Sequence, residues 1–277
     1  MSSRLYHLLT CPSCGASPEP GSARCPGCQR STRAQGGGLD LLDDSLRSDA
    51  DRFAAQYQAL RQREGWIGPS GVEDPAGGQQ RLWKDRLQSV SDAAALLARE
   101  WPSGTRPVVA DVGSGGGWAA RLLPSADVLA FDLLDVSPNS AGVTIRADMR
   151  KLPIRSATLD AVLYAASLHY ARAEVAVSEA ARVLRPRGLM VAVDSPIYKN
   201  AHAQARATAR TAYYYSRAGY PELSHRYHPI DALALRSALI ESGFEVERLT
   251  IHGSVFDRWR HLTHRSPGSL VVARRLP

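Results

Sequence analysis

Residues 108–123 read VVADVGSGGGWAARLL, and this stretch decides the fold. Its first five residues form an apolar run with the length of a buried strand. Glycines follow at Gly113, Gly115 and Gly117, and glycine lets a backbone turn sharply and approach a ligand closely. A strand, a glycine-rich turn and then a helix are typical of a nucleotide-type site in an α/β protein.

Two common phosphate-binding forms of this turn do not fit the sequence. A dinucleotide fingerprint needs a glycine at position 118, where this chain has Trp118. The lysine and serine or threonine of a phosphate-binding loop are also absent. Asp111, at the end of the strand, would repel a pyrophosphate but attract a cationic ligand. The turn therefore favours a ligand other than a dinucleotide.

Apolar strands alternate with helical segments on the C-terminal side of the turn, which is typical of a parallel sheet built from βαβ units. The pattern predicts strands at 107–112, 128–131, 143–147, 159–165, 189–193, 244–251 and 269–274. It predicts helices at 48–63, 81–101, 174–184, 201–217 and 230–242, the first capped by Ser48 or Asp49. A loop at 65–78 separates the first two helices. The fold class is therefore α/β, with helices on both faces of the sheet.

The motif DVGSGGG, at 111–117, resembles the first motif, D-x-G-x-G-x-G, of the class I S-adenosylmethionine-dependent methyltransferases. Segments 152–170 and 181–194 are similar to the fourth and fifth strand regions of that family, so the resemblance spans about residues 107–194. One departure is Arg187, where the family more often has glycine. The resemblance implies a Rossmann-like methyltransferase sheet and S-adenosylmethionine as the cofactor.

The same resemblance implies which residues hold that cofactor. Asp132 ends the second strand, 21 residues after Asp111, where the family binds both ribose hydroxyls. Asp148 and Met149 match the family's adenine site, with the carboxylate near the exocyclic amine and the thioether on the ring. The expected cofactor-binding residues are Asp111, Gly113, Gly115, Gly117, Asp132, Asp148, Met149 and Ala165.

The four cysteines form two C-x-x-C pairs, Cys11–Cys14 and Cys25–Cys28, with ten residues between the pairs. This spacing can bring four thiolates around a tetrahedral metal, and four protein ligands leave no open position for catalysis. We expect a structural zinc; an iron–sulfur site or a redox pair is the alternative. The arrangement resembles bacterial methyltransferases with an N-terminal zinc finger, including rRNA guanine-N1 methyltransferases, although their fourth ligand is typically histidine.

Charge and hydropathy limit the possible partners and location. The net charge is +7, and residues 195–277 hold twelve Lys/Arg against six Asp/Glu. Such an excess can attract RNA or a small anion, or can be an ordinary solvated surface. No stretch approaches the roughly 18 apolar residues of a membrane span, and the N-terminus lacks the apolar run of a secretory signal. We expect a cytoplasmic protein that does not enter the membrane.

Candidate catalytic residues follow the fourth predicted strand in the segment SLHY, 167–170. His169 and Tyr170 would lie at the carboxyl edge of the sheet, where ligands bind in open α/β folds. His169 could act as a general base or could only line the cofactor pocket. The sequence lacks the [D/N]-P-P-[Y/F] tetrapeptide of exocyclic-amine nucleobase methyltransferases.

The segment after the fifth predicted strand is expected to form a lid over the acceptor, ordered only when cofactor and acceptor are bound. Tyr214, His225 and His228 in this segment are the candidate acceptor-binding residues, although a packed helix face explains them equally well. On the helix before the first strand, Trp83 and Arg86 would close over the cofactor or simply pack.

These features predict three regions and leave three functions open. Residues 1–38 would be a zinc-binding module with a glycine linker at 36–38 and a core separate from the catalytic domain. Residues 39–101 would be a helical segment, and 102–277 the methyltransferase domain with its lid near 195–230. The leading function is methyl transfer to an oxygen or nitrogen atom of a small molecule. The alternatives are an RNA methyltransferase that grips rRNA or tRNA, and a non-catalytic cofactor-binding partner protein. The oligomeric state is open.

Overall fold

The computed structural model describes residues 3–34, 38–67, 80–135, 143–251 and 268–277, with the side chains of 3–4 and 80–82 left aside. Its helices are α1 (Ser3–Tyr6), α2 (Asp44–Arg63), α3 (Gln80–Ala98), α4 (Ala173–Val183), α5 (Ala201–Arg217) and α6 (Ala232–Glu241). Its strands are β1 (Leu39–Asp40), β2 (Val108–Val112), β3 (Asp127–Asp132), β4 (Val143–Arg146), β5 (Leu159–Ala165), β6 (Leu184–Val193), β7 (Ile197–Tyr198), β8 (Ile230–Asp231), β9 (Phe244–Thr250) and β10 (Leu270–Arg275). Short 3-10 helices lie at Ala119–Leu122, Leu168–Tyr170 and Pro221–Arg226.

The main sheet has the strand order β1-β4-β3-β2-β5-β6-β10-β9. Its ladders are parallel from β1 through β6, and only β10 runs antiparallel to its neighbours. The order reverses between β2 and β5, which creates a crevice at the carboxyl ends of these two strands. This crevice is where the glycine-rich turn lies.

Alternate residues of the central strands belong to opposite faces of the sheet, as the two-residue period of a strand requires. In β2, Val108, Ala110 and Val112 belong to one core cluster, whereas Val109 belongs to the other. Helices α4 and α6 cover the first face and α3 covers the second. The predicted α/β fold with helices on both faces is confirmed.

Two predicted local features are wrong. Helix α2 begins at Asp44, one turn earlier than expected, because the Asp43 side chain accepts the backbone N–H of Ser45 and caps the helix. The segment after the glycine turn is only a four-residue 3-10 helix. Pro124 follows its C-terminal cap residue Leu123 and has no N–H with which to continue a helix.

The N-terminal segment does not have a separate core. Leu5, Leu9, Leu39 and Leu41 are all buried in the larger core cluster of the sheet. Strand β1 extends the sheet edge by pairing with β4, and Leu9 forms a bridge with Ile154. A small domain has too few apolar residues for its own core, so these leucines use the core of the sheet. Of the expected linker, residues 36–37 lie outside the described residues, as does most of the expected loop at 65–78. The domain boundaries stay a prediction.

The predicted lid region forms helix α5 and the 3-10 helix at Pro221–Arg226. Tyr215 and Leu223 from this region pack with Leu60 of α2 in a small cluster of their own. The cluster holds the region over the carboxyl edge of the sheet. None of the described helices combines the length and apolar character needed to cross a bilayer.

Candidate active site and zinc site

The glycine-rich turn depends on glycine at position 113. Gly113 has a φ of +73°, in the left-handed region that side chains disfavour. A Cβ atom at this position would also overlap the Cβ of Ser167, which follows β5. The Gly113 N–H donates to the Phe131 carbonyl oxygen at 2.8 Å, which ties the turn to β3.

A cavity of about 790 Å³ opens from this turn along the carboxyl edge of the sheet. Most of the predicted cofactor residues line it, namely Gly113, Gly115, Asp132, Asp148, Met149 and Ala165. Asp111 and Gly117 do not line it. Asp111 is completely buried in β2, so it can support the turn but cannot reach a ligand in the cavity.

Asp132 is positioned by two backbone hydrogen bonds. Its Oδ2 accepts the Gly115 N–H at 2.7 Å and its Oδ1 accepts the Leu134 N–H at 2.8 Å. Each oxygen of a carboxylate has a second lone pair, so both can still accept a hydroxyl from a ligand. Burial raises the pKa of Asp132. The geometry fits a diol such as a ribose.

Asp148 differs from its predicted role. Its Oδ1 accepts the backbone N–H and the Nε of Arg150, both at 2.9 Å, and its Oδ2 accepts the Nη2 of Arg150 at 2.7 Å and the Arg226 guanidinium at 3.2 Å. Burial opposes ionisation, but these arginines, Arg150 foremost, lower the pKa of Asp148 below its ordinary value. Since its acceptor positions are occupied, the carboxylate has none left for an adenine amine. Met149 remains on the cavity wall.

Aromatic rings form much of the cavity wall. The Tyr170 ring lies edge-on to those of Phe53 and Tyr57, with centroids 5.9 and 5.7 Å away. The Tyr227 ring packs on His169 at 4.6 Å. Besides Trp118 after the glycine turn and Phe131 of β3, the aromatic rings of the wall belong to Phe53, Tyr57, Trp66, Tyr170, Tyr198, Tyr214, Tyr215 and Tyr227. Rings of this kind suit a planar ligand.

His169 is a poor candidate for the general base. It is buried, and its Nδ1 lies 3.4 Å from the Ser195 Oγ. Burial, and then the nearby Arg86 and Arg61, lower its pKa to about 3. A neutral imidazole with so low a pKa accepts a proton only at a high free-energy cost. The geometry favours the lining role for His169.

Of the three lid residues predicted to bind the acceptor, only Tyr214 lines the cavity. Tyr214 lines it, and its hydroxyl donates to the Glu64 carboxylate. His225 is exposed and His228 is half-buried, and neither lines the cavity. The 3-10 helix at Pro221–Arg226 turns its last residue inward, so Arg226 and Tyr227 line the cavity instead. Among the described residues, His225 and His228 thus do not line the cavity, and a role for them at the acceptor stays a prediction.

Arg86 of α3 lines the cavity, as expected for a residue that closes over the cofactor. Three further lining residues were not predicted, namely Arg61 near the end of α2, and Glu64 and Trp66 just after it. Their sequence positions carry no signal, because only the packing of α2 against the sheet edge brings them to the cavity. Trp83 packs on the Trp118 ring at 5.3 Å and is fully buried.

Asp194 is a further missed residue, although a signal existed for it. It directly follows β6 and lines the cavity at the carboxyl edge of the sheet, where Asp132 ends β3. Its φ is +58°, and its Oδ1 accepts the Ser89 hydroxyl at 2.9 Å. In the described structure its Oδ2 is buried without a hydrogen-bond partner. Burial raises the pKa of Asp194 to about 6.

The four cysteines form a compact cluster that fits a tetrahedral metal. Their sulfur atoms all lie within 4.8 Å of one another, with Cys11 and Cys28 3.7 Å apart and Cys14 and Cys25 3.5 Å apart. Thiolates at about 2.3 Å from a tetrahedral zinc lie about 3.8 Å apart. Gly27 is needed here because a Cβ would lie 2.9 Å from the Cys14 sulfur. The site fits zinc.

Comparisons with known proteins agree with the fold. Residues 110–192 match the family described as "Methyltransferase domain" (Methyltransf_11). No protein with a curated description matches the sequence significantly. Among solved structures, geranyl diphosphate methyltransferase in complex with GPP and sinefungin has a TM-score of 0.55 and 15% identity, covering 82% of this chain and 99% of that one.

Two further structures have similar values. The 1,6-didemethyltoxoflavin-N1-methyltransferase of Burkholderia thailandensis, with bound 1,6-didemethyltoxoflavin and S-adenosylhomocysteine, has a TM-score of 0.52 and 14% identity, covering 87% and 95% of the chains. The [4+2]-cyclase SpnF has a TM-score of 0.51 and 15% identity, covering 83% and 95%. At these identities the likeness shows the fold alone. Residues 110–192 therefore match the methyltransferase domain, and the chain has the Rossmann-like fold of the methyltransferase structures to which it is similar.

Proposed function

We propose that this chain transfers a methyl group from S-adenosylmethionine to an oxygen or nitrogen atom of a small molecule. The observation that carries the proposal is that the same cavity is lined both by the glycine turn with Asp132 and by a group of aromatic rings. About 790 Å³ is within the usual range for a site that encloses small molecules.

The residues of the cavity fit the two ligands in turn. The glycine turn, Asp132, Met149 and Ala165 would hold the cofactor, which supplies a methyl group bonded to a positively charged sulfur. The aromatic rings of the cavity wall would hold the acceptor beside that methyl group. Methyl transfer needs chiefly a nucleophile held in line, roughly 3–3.5 Å from the methyl carbon. The chain's contribution is therefore positioning and the exclusion of water.

The relatives add support of a limited kind. The geranyl diphosphate and didemethyltoxoflavin enzymes named above are methyltransferases of small molecules, but the cyclase has a similar fold. The fold alone therefore does not identify the reaction. A non-catalytic cofactor-binding protein also stays an alternative.

A transfer assay separates these functions. The protein is incubated with methyl-labelled S-adenosylmethionine and, separately, with metabolite, RNA and protein fractions. We expect label in the metabolite fraction and none with Gly113→Ala, because the added Cβ would overlap Ser167. Label in no fraction, with S-adenosylhomocysteine still bound, would favour the non-catalytic alternative.

One surface feature favours RNA as a second candidate substrate. Helix α5 contains no acidic residue, and Arg206, Arg210, Tyr213 and Arg217 follow one another at intervals of four, three and four residues. These residues share one helix face and all four are exposed. RNA affinity that falls steeply with salt, and falls further in Arg206→Glu with Arg217→Glu, would support this candidate.

A further inference from the structure

Two arginines of the cavity wall, Arg61 and Arg86, contact the same indole ring, that of Trp66. The Arg61 guanidinium carbon lies 5.1 Å from the Trp66 ring centroid, and that of Arg86 lies 4.9 Å from it. Both side chains line the cavity. Two cations on one ring repel each other, so an anion beside them would be stabilised.

The two arginines differ in their partners. Arg61 is buried, and its Nη1 donates to the Glu64 carboxylate at 2.7 Å. Arg86 has no carboxylate within 4 Å among the residues that the structure describes, and its guanidinium contacts the rings of Trp66 and Trp83 instead. Glu64 is already used by Arg61 and by the Tyr214 hydroxyl. Arg86 therefore offers its donors to whatever enters the cavity.

The positive charge of this pair extends to the carboxyl edge of β5. Both arginines contribute to the low pKa of His169, which lies just after β5 next to Ala165 and Ala166 of the cavity wall. The opposing charges on the wall include Glu64, which pairs with Arg61, and Asp194, whose pKa is raised to about 6 by burial in spite of the nearby Arg86. Because Glu64 offsets the charge of Arg61, Arg86 is the cation of the pair whose charge is left for an incoming anion.

We infer that the methyl acceptor is a planar molecule with an ionised oxygen, a carboxylate or a phenolate, and that Arg86, beside Arg61 and Trp66, binds this oxyanion. The inference rests on the proposed function, because it names the substrate class for the same cavity. The aromatic rings would hold the planar part of the acceptor. Arg86 would supply charge-assisted hydrogen bonds to the oxygen.

An ionised oxygen also explains how transfer proceeds without His169 as a base. A lone pair of the oxygen forms the bond to the methyl carbon, while the carbon–sulfur bond breaks and its electron pair stays on sulfur. The products are a methyl ether or ester and a neutral thioether. The oxygen has no proton to lose, so the step needs no base.

The competing occupant of Arg86 is the carboxylate of the cofactor itself. Arg86 is on α3, close to Trp83, which packs on Trp118 after the glycine turn. If the cofactor's carboxylate occupied Arg86, the positive charge would be neutralised before the acceptor arrived. The test must therefore be made with the cofactor site filled, and it must distinguish binding of the cofactor's carboxylate from binding of the acceptor's carboxylate.

The test uses three probes with the same phenyl ring and a negative, a neutral or a positive substituent. Binding of benzoate, benzamide and benzylamine to the full chain saturated with S-adenosylhomocysteine is measured by calorimetry. The variants are Arg86→Gln and, as a matched control on the same helix, Lys84→Gln, whose side chain is exposed. We expect benzoate to bind at least about tenfold more tightly than benzamide, as for a charge-assisted contact, and benzylamine to bind weakest. The preference should be lost in Arg86→Gln and kept in Lys84→Gln.

A second probe reports the charge of the site in the unaltered protein. The phenolate of 4-nitrophenol absorbs visible light, so its absorbance gives the pKa of the bound probe. We expect a pKa lower than in free solution by about one unit, because the positive site stabilises the phenolate. This result does not depend on whether Arg86→Gln folds.

Each contrary outcome has a distinct meaning. Equal binding of benzoate and benzamide, no binding of benzoate, or an unchanged or raised pKa of 4-nitrophenol overturns the inference, while bound S-adenosylhomocysteine keeps the proposed function. Arg86→Gln could also weaken S-adenosylhomocysteine binding but leave the benzoate preference and the affinity for 5′-methylthioadenosine, which has no carboxylate, unchanged. This result would assign Arg86 to the carboxylate of the cofactor and would also overturn the inference. Failure of the unaltered protein to bind S-adenosylhomocysteine removes the proposed function itself.

Discussion

At the scale of single residues, we expect cofactor binding to depend most directly on the side chain of Asp132. Asp132→Ala removes an acceptor for the ribose hydroxyls and also frees the Gly115 N–H. A lost hydrogen bond to a charged group costs about 1.5–3 kcal/mol, so we expect S-adenosylhomocysteine affinity to fall by about tenfold to a hundredfold. Calorimetric titration measures it.

Asp127→Asn, at the opposite end of the same strand β3, is the control for that variant. It should leave the affinity unchanged, since Asp127 pairs with Arg106 away from the cavity. Unchanged affinity in Asp132→Ala, in a protein with normal thermal stability, would contradict the assignment of this residue.

Asp194 makes the stability of the protein depend on pH. Burial raises its pKa from 3.8 to about 6, so the folded state favours the protonated form. The associated stability is complete below about pH 4 and is lost as the pH rises through about 6. Asp194→Asn removes this loss, so it should raise the free energy of unfolding at pH 8 by at most about 3 kcal/mol and change it little at pH 4.

Urea unfolding at several pH values, with the exposed Asp92→Asn of α3 as the control, tests that expectation. Asparagine is a suitable replacement because it tolerates the positive φ of this position. A loss of stability at pH 8 would instead mean that the ionised carboxylate has a partner in solution.

His169 should remain neutral throughout the physiological range. Its pKa is lowered to about 3 by burial and by Arg86 and Arg61. In a pH titration followed by NMR, we expect its ring signals, assigned with His169→Asn, to stay constant from pH 5 to pH 8. A midpoint inside that range would restore His169 as a candidate base.

At the scale of elements, the contact between α2 and the lid region decides how the cavity is closed. Leu223 of the lid packs on Leu60 of α2, next to the buried Tyr215. Leu223→Ala should loosen this contact at a cost of about 2–4 kcal/mol, because it leaves a cavity in a small cluster. Hydrogen exchange should then become faster in residues 201–228 but stay slow in β2 and β5.

The exposed Leu233→Ala on α6 is the matched control, since it removes the same atoms from a solvent-facing position. The earlier expectation that the lid orders only with ligands stays a prediction. Exchange at 201–228 as slow as in the central strands, both with and without S-adenosylhomocysteine, would contradict it.

At the scale of the whole molecule, we expect the cysteine cluster to bind zinc and to be coupled to the core of the sheet. We expect one zinc per chain, lost in Cys25→Ser. Because Leu5, Leu9, Leu39 and Leu41 flank the cysteines and lie in the main core, losing the metal should lower the melting temperature of the whole protein. Metal analysis and calorimetry measure both effects.

Ser13→Ala, in the first cysteine pair, keeps all four ligands and should retain zinc and stability. Iron with visible absorbance, or freshly purified protein without metal, would refute the zinc assignment. An unchanged melting temperature in zinc-free Cys25→Ser would show that the module and the sheet are independent after all.

The sequence by itself determined the elements that local pattern controls. The α/β class, the strands from β2 to β6 and helices α4 to α6 were predicted within a few residues, because a buried parallel strand is a short apolar run and an amphipathic helix has its own period. Glycine 113 and Asp132 were also identifiable, since each marks the end of a strand at the ligand edge. The cysteine cluster followed from its spacing.

Only the tertiary structure shows which residues from distant parts of the chain contact these side chains or line the same cavity. Arg61 reaches the cavity because α2 packs against the edge of the sheet, and no local pattern in its segment predicts this; for Arg86 the sequence left cofactor contact and ordinary packing open, and only the packing of α3 places it on the cavity wall. Asp148 looked free in sequence, but Arg226, 78 residues later, occupies its oxygen. The inward turn of Tyr227 rather than His228 is likewise fixed by packing. Contacts between residues far apart in the chain depend on how whole elements pack, which a local pattern does not encode.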